Sequence, residues 1–319
     1  MNKYIGHPSQ LCGVFEKRLV GGMQDGMRVF EVRNGAGLEF VISADRCADI
    51  PYLYFKGRNI AYIAPCGMVA PSYYDKDGAG FLKSFTAGFL TTCGLTAVGS
   101  PCVDDGETLP LHGTISNTSA EYVSYSVDDE KITVTARIRD ASLFSHQLIL
   151  ERKYTCPINE NTIFLTDTVT NIGSKTSPVM ILYHCNMGYP LLSEKSVLTI
   201  PSMKITARDK HAQEGIDRFK EITAPQEGFT EQCYYHTFDK NPCVSLYNPD
   251  IDCKMTMTFD INELDCFTQW KMLGENEYVM GLEPGNCYPD GRNVMREKGI
   301  LKFLNKGEKQ TYHIKFTFE

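Results

Sequence analysis

The chain is predicted to be all-β, a large sandwich of many antiparallel strands, on three observations. Apolar and polar residues alternate over long stretches, helical periodicity is scarce, and no strand–helix–strand succession recurs. Over 131–139, Ile132, Val134, Ala136 and Ile138 fall on one face, with Thr133, Thr135 and Arg137 opposite. Met255, Met257, Phe259 and Ile261 repeat the pattern, as do Tyr312, Ile314, Phe316 and Phe318. A period of two filled by β-branched and aromatic side chains is that of half-buried strands. YVSYSV and KITVTARIR, joined by Asp128–Asp129–Glu130, predict a hairpin. SLYNPDIDCKMTMTF predicts another, turned at Asn248–Pro249–Asp250. Short helical segments are expected only around 80–90 and 212–221. No linker rich in Pro, Gly or Ser divides the chain, so 1–319 is expected to form a single domain.

Composition narrows the function. With 319 residues, 42% hydrophobic and 22% charged, the chain can bury a sizeable core and matches ordinary soluble domains. A net charge of −7 argues against nucleic acid and against an anionic membrane as partners, while uncharged ligands such as sugars remain compatible. No run of about 18 apolar residues is present to span a bilayer. The first residues lack a basic stretch followed by an apolar one, so a cytoplasmic location is expected. The twelve cysteines are then expected to be reduced thiols acting as small core hydrophobes. None forms a CxxC pair or a zinc-finger spacing.

Three short runs carry the candidate chemistry. GLEPGNCYPDGR (281–292) puts Glu283 on a late strand, pinned by Pro284 and Gly285. LPLHGTISN (109–117) offers His112, and LYHCNMGYPLL (182–192) offers His184. A carboxylate with two imidazoles is equipment for moving protons near neutral pH.

These runs resemble parts of the aldose 1-epimerases (galactose mutarotases). Leu282–Glu283, Pro289–Asp290, Lys306–Gly307–Glu308 and the final strand Tyr312 to Phe318 stand where that family has its catalytic glutamate and closing segments. LYHCNMGYPLL is similar to the family's Asn-His-x-Tyr-Phe-x-Leu run, and LHG at 111–113 to its Leu-His-Gly. A resemblance over nearly the whole chain is to a divergent mutarotase-like group described as a domain of unknown function. DRCADI (45–50), FLTTCGL (89–95), DDGETLPLHGTISN (104–117) and EPGNCYPDGR (283–292) carry it. The resemblance implies a galactose mutarotase-like β-supersandwich that interconverts the anomers of a monosaccharide or sugar derivative without a cofactor or metal.

Carried over residue by residue, the resemblance implies Glu283 as base, His184 as acid and His112 as a second imidazole. Arg46 is the candidate for the family's arginine. Trp270 is read as stacking on the sugar, with Gln269 and Lys271 beside it as polar contacts. Asn186 and His236 complete the expected substrate-binding set. The sequence departs from the family at YYHTF (234–238), where Tyr235 replaces an aspartate that holds sugar hydroxyls. Each residue also has a structural role open to it. His184 could be a bonded core histidine, His112 a turn residue, Trp270 a sheet cover, and Arg46 an ion-pair partner for Asp49. Two other functions stay open: a metal-dependent sugar isomerase with His112, His184, His236 and Glu283 as ligands, and a carbohydrate-binding protein without turnover. Sugar identity and oligomeric state are not legible in the chain.

Overall fold

A computed structural model of the chain describes residues 3–319. Two large sheets dominate, one of twelve strands and one of eight, with two small two-stranded pieces at their margins. Both hairpins expected from the sequence form. Ala120–Val127 pairs with Lys131–Ala141, and Cys243–Asn248 with Cys253–Phe259, each antiparallel. The closing strand Lys309–Phe318 sits between Thr162–Asn171 and Cys253–Phe259 in the eight-stranded sheet. Alternation sets its burial: Tyr312, Ile314, Phe316 and Phe318 are buried, whereas the residues between them are not.

The two sheets pack their apolar faces together in one large cluster running from Phe30 to Phe318. Phe89, just before strand Leu90–Leu95 of the first sheet, meets Phe316 of the second edge-to-face, ring centres 5.0 Å apart. Inside this core lies one charged knot. Arg152 donates from Nε and Nη2 to Asp167, from Nη1 to Asp49 and the Cys47 carbonyl, and from Nη2 to Thr92 Oγ1. Those bonds use all five guanidinium hydrogens. Tyr183 donates to Asp167, and Thr92 to Asp49. The DRCADI run therefore serves the core: Asp49 pairs with Arg152 rather than with Arg46.

Helical structure is sparse. Gly80–Lys83, Lys210–Glu214 and Ile216–Arg218 are short turns within the two expected windows. Arg292–Glu297 is a helix that the sequence reading did not anticipate. Its Arg292 is buried against Asp104 at 2.6 Å and Glu107 at 2.6 Å. This clasp fastens the DDGETL segment to the segment after Glu283. All twelve cysteines carry free thiols. Among the described residues no helix is long and apolar enough to cross a membrane.

Candidate active site

Three central strands of the twelve-stranded sheet, Ser177–Met187, Glu277–Gly285 and Cys266–Gly274, lie side by side, followed by Gln232–Thr237. On each, one parity of residues faces the sandwich core and the other faces outward. Ile181, Tyr183, Cys185, Leu282 and Phe267 belong to the core cluster, which turns His184, Glu283, Thr268 and Trp270 to the outer face. Register then aligns them. Thr91 pairs with His184, Thr268 with Glu283, and Tyr235 with Thr268. The pairs Leu182–Gly285 and Cys185–Leu282 bracket His184 and Glu283 between adjacent strands.

Over this row opens a hollow of about 390 Å³, lined by Glu283, His184, His112, Thr268, Trp270, Arg208, Glu231 and Cys233. Phe81, Leu82, Phe85, Leu111 and Pro289 add apolar walls. That volume suits a small-molecule site. His112 reaches it from a loop, with φ of +58°, a left-handed conformation that is costly for a non-glycine residue. Its amide donates to the Gly99 carbonyl and its carbonyl accepts from Gly94. The following Gly113, at φ of +73°, approaches the Gly94 carbonyl so closely that a Cβ would collide with it. The Leu-His-Gly run is thus shaped by backbone proximity.

Glu283 and His184 are both buried. Glu283 Oε1 stands 3.2 Å from His184 Nε2. The approach is misaligned, so Oε1 has no hydrogen-bond partner among the described residues. His112 Nδ1 and Thr268 Oγ1 are likewise buried without partners. Three orphaned polar atoms thus belong to residues lining one hollow, where each such atom costs about 1–3 kcal/mol. On its other side, His184 Nδ1 lies 2.6 Å from Asn186 Oδ1. The Asn186 amide nitrogen donates to the Gly88 and His184 carbonyls, so its oxygen must accept from His184. Neutral His184 is therefore protonated at Nδ1 and presents a bare Nε2 toward Glu283.

Burial sets the charge states. It pushes the Glu283 carboxyl well above the ordinary range, helped by the negative charge of Glu231 and opposed by Arg208. Burial, with His112 adding to it and the Asn186 bond opposing, lowers His184 to about 3. His112 is lowered to about 4 by burial, against the pull of Glu231. Aromatic rings enclose both imidazoles: Phe81 lies 5.3 Å from His112, and Phe85 and Trp270 lie 5.1 and 5.2 Å from His184.

Several residues expected at the site are elsewhere. Gln269 and Lys271 flank Trp270 in sequence, so strand alternation sends them to the opposite face. Gln269 Nε2 donates there to the Phe219 carbonyl, and Lys271 Nζ to the Arg218 carbonyl. His236 shares that face, fully buried between Ser202 and Gln269. The ligand quartet His112, His184, His236 and Glu283 is accordingly not assembled. Among the described residues no group of three or more His, Cys, Asp or Glu side chains is placed to hold a metal ion. Arg46 is buried outside the hollow and donates to the Val69 carbonyl at 3.0 Å. Asn186 touches His184 rather than the hollow. Tyr235 lies on the outer face, with its hydroxyl bonded to Asp290 and its ring 4.4 Å from that of Tyr288.

The sequence reading missed Glu231, Arg208 and the phenylalanine walls. One signal was available: Glu231, Cys233 and Tyr235 are spaced by two and share a face. A larger hollow of about 590 Å³ opens beside Arg292 and Arg296. Their guanidinium groups are already committed to Asp104 and Glu107, and neither Glu283 nor the two site histidines reach it.

Residues 24–318 match the family model described as Domain of unknown function (DUF4432). The chain belongs to that family. No curated protein sequence matches it. Among solved structures, a protein from Klebsiella pneumoniae subsp. pneumoniae MGH 78578, provisionally named an aldose 1-epimerase, superposes with a TM-score of 0.89. The identity is 23%, over 96% of this chain and 83% of that one. A galactose mutarotase-like protein from Clostridium acetobutylicum gives a TM-score of 0.71 at 15% identity, over 97% and 99% of the two chains. Galactose 1-epimerase from Lactobacillus acidophilus NCFM gives 0.67 at 13%, over 97% and 99%. This member of the DUF4432 family therefore has the mutarotase-like β-sandwich fold.

Within the DUF4432 site, Gly281 is a sensitive position. It stands opposite Trp270, and a Cβ there would run into Glu283 Oε1 and lie 2.9 Å from Trp270 Cβ. Gly281→Ala is expected to displace the carboxylate, so any turnover that the hollow supports should fall at least about 10-fold. The protein should remain folded. Kinetics and a thermal melt on the same sample check both halves.

Proposed function

We propose that the hollow interconverts the anomers of a free monosaccharide or close derivative by proton transfer at both ends of the hemiacetal. The observation that carries this is the convergence of orphaned Glu283 Oε1, His112 Nδ1 and Thr268 Oγ1 on one sugar-sized space. Hydroxyls and a ring oxygen would satisfy all three. The relatives named as aldose and galactose 1-epimerases share the fold, which agrees with the reading.

Glu283 accepts the proton of the anomeric hydroxyl while His184 Nε2 delivers one to the ring oxygen, opening the ring. Rotation about the bond between the first two carbons exposes the other carbonyl face, and the same two groups reverse their roles to close it. The pair needs one proton between them. In the empty hollow that proton rests on Glu283, since burial raises the carboxyl and lowers the imidazole. A hydroxyl donating to Oε1 and a ring oxygen accepting from Nε2 favour the carboxylate–imidazolium arrangement of the same proton count. His112 holds the ring oxygen or an adjacent hydroxyl. Trp270 offers an apolar surface to the sugar, and Asn186 keeps the His184 ring oriented. Positioned acid and base groups typically contribute about 10²–10⁴-fold each.

Mixing the protein with a freshly dissolved single anomer and following optical rotation or NMR anomer exchange tests this. Rates equal to buffer across a broad panel of aldoses would remove the reading. The pH dependence is a second check. With His184 near 3 and His112 near 4, both imidazoles are neutral throughout the ordinary range. Above pH 5, kcat/KM should therefore show no rise from deprotonation of either imidazole. It should fall only on the alkaline side, as Glu283 loses the shared proton. A kcat/KM that rises with pH above 5, as a histidine loses its proton, would contradict the geometry.

A further inference from the structure

Glu231 and Arg208 stand at the mouth of the hollow and take no part in the proton transfers. Arg208 Nη2 donates to Glu231 Oε1 at 2.7 Å, and Trp270 Nε1 donates to Glu231 Oε2 at 2.7 Å. The Arg208 amide donates to the Cys233 carbonyl, which ties its backbone to the neighbouring strand. Asp209 adds a second carboxylate 3.3 Å from Arg208 Nε. The guanidinium is thus compensated on two sides, and the carboxylate is held in place from two. Farther along the same face, Tyr235 has its hydroxyl committed to Asp290, which also pairs with Lys298 at 2.9 Å.

We propose that Glu231 and Arg208 form the hydroxyl-reading end of the hollow and restrict it to uncharged sugars. A sugar hydroxyl is donor and acceptor at once, so adjacent hydroxyls can give to Glu231 and take from Arg208 without disturbing the ion pair. A carboxylate or phosphate cannot do the same. It would meet Glu231 directly, and Arg208 has no uncompensated charge to offer it. Its approach would also add negative charge beside Glu283 and so disfavour the carboxylate form that must be present to accept a proton. Trp270, held by Glu231, fixes the apolar surface next to this polar end. Removing the Glu231 charge while keeping its shape leaves Arg208 compensated by Asp209 alone and relaxes the exclusion.

This inference rests on the anomer-exchange reading, and the test separates the two. D-glucose, D-glucuronate and D-glucose 6-phosphate are compared on the wild-type protein by NMR anomer exchange and, independently, by calorimetric binding. The expectation is a kcat/KM at least about 10-fold higher for the neutral sugar, with the same order in affinity. Glu231→Gln should lower kcat/KM for glucose about 10-fold, mainly through KM, and shrink or invert the neutral-to-anionic ratio. Arg208→Gln should weaken glucose without favouring the anions. Wild-type preference for either anion, or an unchanged ratio in Glu231→Gln, overturns the inference. If no sugar is exchanged but glucose binds and the anions do not, anomer exchange fails while the selectivity stands. Absence of binding to all three, with the wild-type protein folded, overturns the selectivity too.

Discussion

Glu283→Gln should reduce anomer exchange by about 10²–10⁴-fold and leave the protein at least as stable as the wild type. The loss follows because an amide cannot accept the hydroxyl proton, although it fills the same space at the end of the Thr268–Glu283 register. The stability effect has a definite sign. Burial raises the folded carboxyl above its ordinary value of 4.5, so the protonated form is the one the fold favours. That contribution is fully present below about pH 4.5 and is lost as pH rises toward the folded value. Gln cannot ionise and escapes the loss. Denaturant curves should therefore coincide near pH 4 and separate by about 1–2 kcal/mol in favour of Glu283→Gln above neutrality, a usual gain on relieving a strained functional group. Retention of more than a tenth of the wild-type rate would show that another group accepts the proton.

Arg152→Met should cost about 3–5 kcal/mol, the largest destabilisation expected of any single change discussed for this protein. The reason is what stays behind. Asp49 and Asp167 lose the guanidinium that joins them between the sheets, and each is left as a buried carboxyl with too few donors. The triple variant Arg152→Met, Asp49→Asn, Asp167→Asn should recover part of the loss, because no buried charge then lacks a partner. Urea unfolding of the three proteins distinguishes the outcomes. A cost under about 1 kcal/mol for Arg152→Met alone would mean that water or a rearrangement satisfies the two aspartates.

The parts of the fold and site that were legible depended on near neighbours in sequence. Alternation at Ile132 to Ile138 and at Tyr312 to Phe318 determined which faces are buried, and the Asn248–Pro249–Asp250 turn determined a hairpin. Glu283, His184 and His112, each singled out by a distinctive run, line one hollow. Trp270 lines it with them, whereas Gln269 and Lys271, grouped with it in the sequence, do not. Adjacent residues of a strand cannot share a face, so that grouping conflicted with the period of two used to recognise the strand. His236 lies away from the hollow for the same reason: Cys233 and Tyr235 take the outer face, which leaves His236 inside. Arg46 lies outside it for another reason. The backbone of its loop directs the guanidinium to the Val69 carbonyl, and the aspartate three residues on was claimed by Arg152 from another sheet.

By itself, the order of residues determined the strands, their inward faces and the runs that carry Glu283, His184 and His112, because side-chain period and turn chemistry act over a few positions. Only the tertiary structure decided which strands lie side by side. That choice brought Glu283 within reach of His184, set Glu231 and Arg208 at the mouth, and left Arg46 outside the hollow. The physical reason is that register between distant strands is fixed by packing across the whole sandwich core, and side chains from separate strands meet only once that register is set.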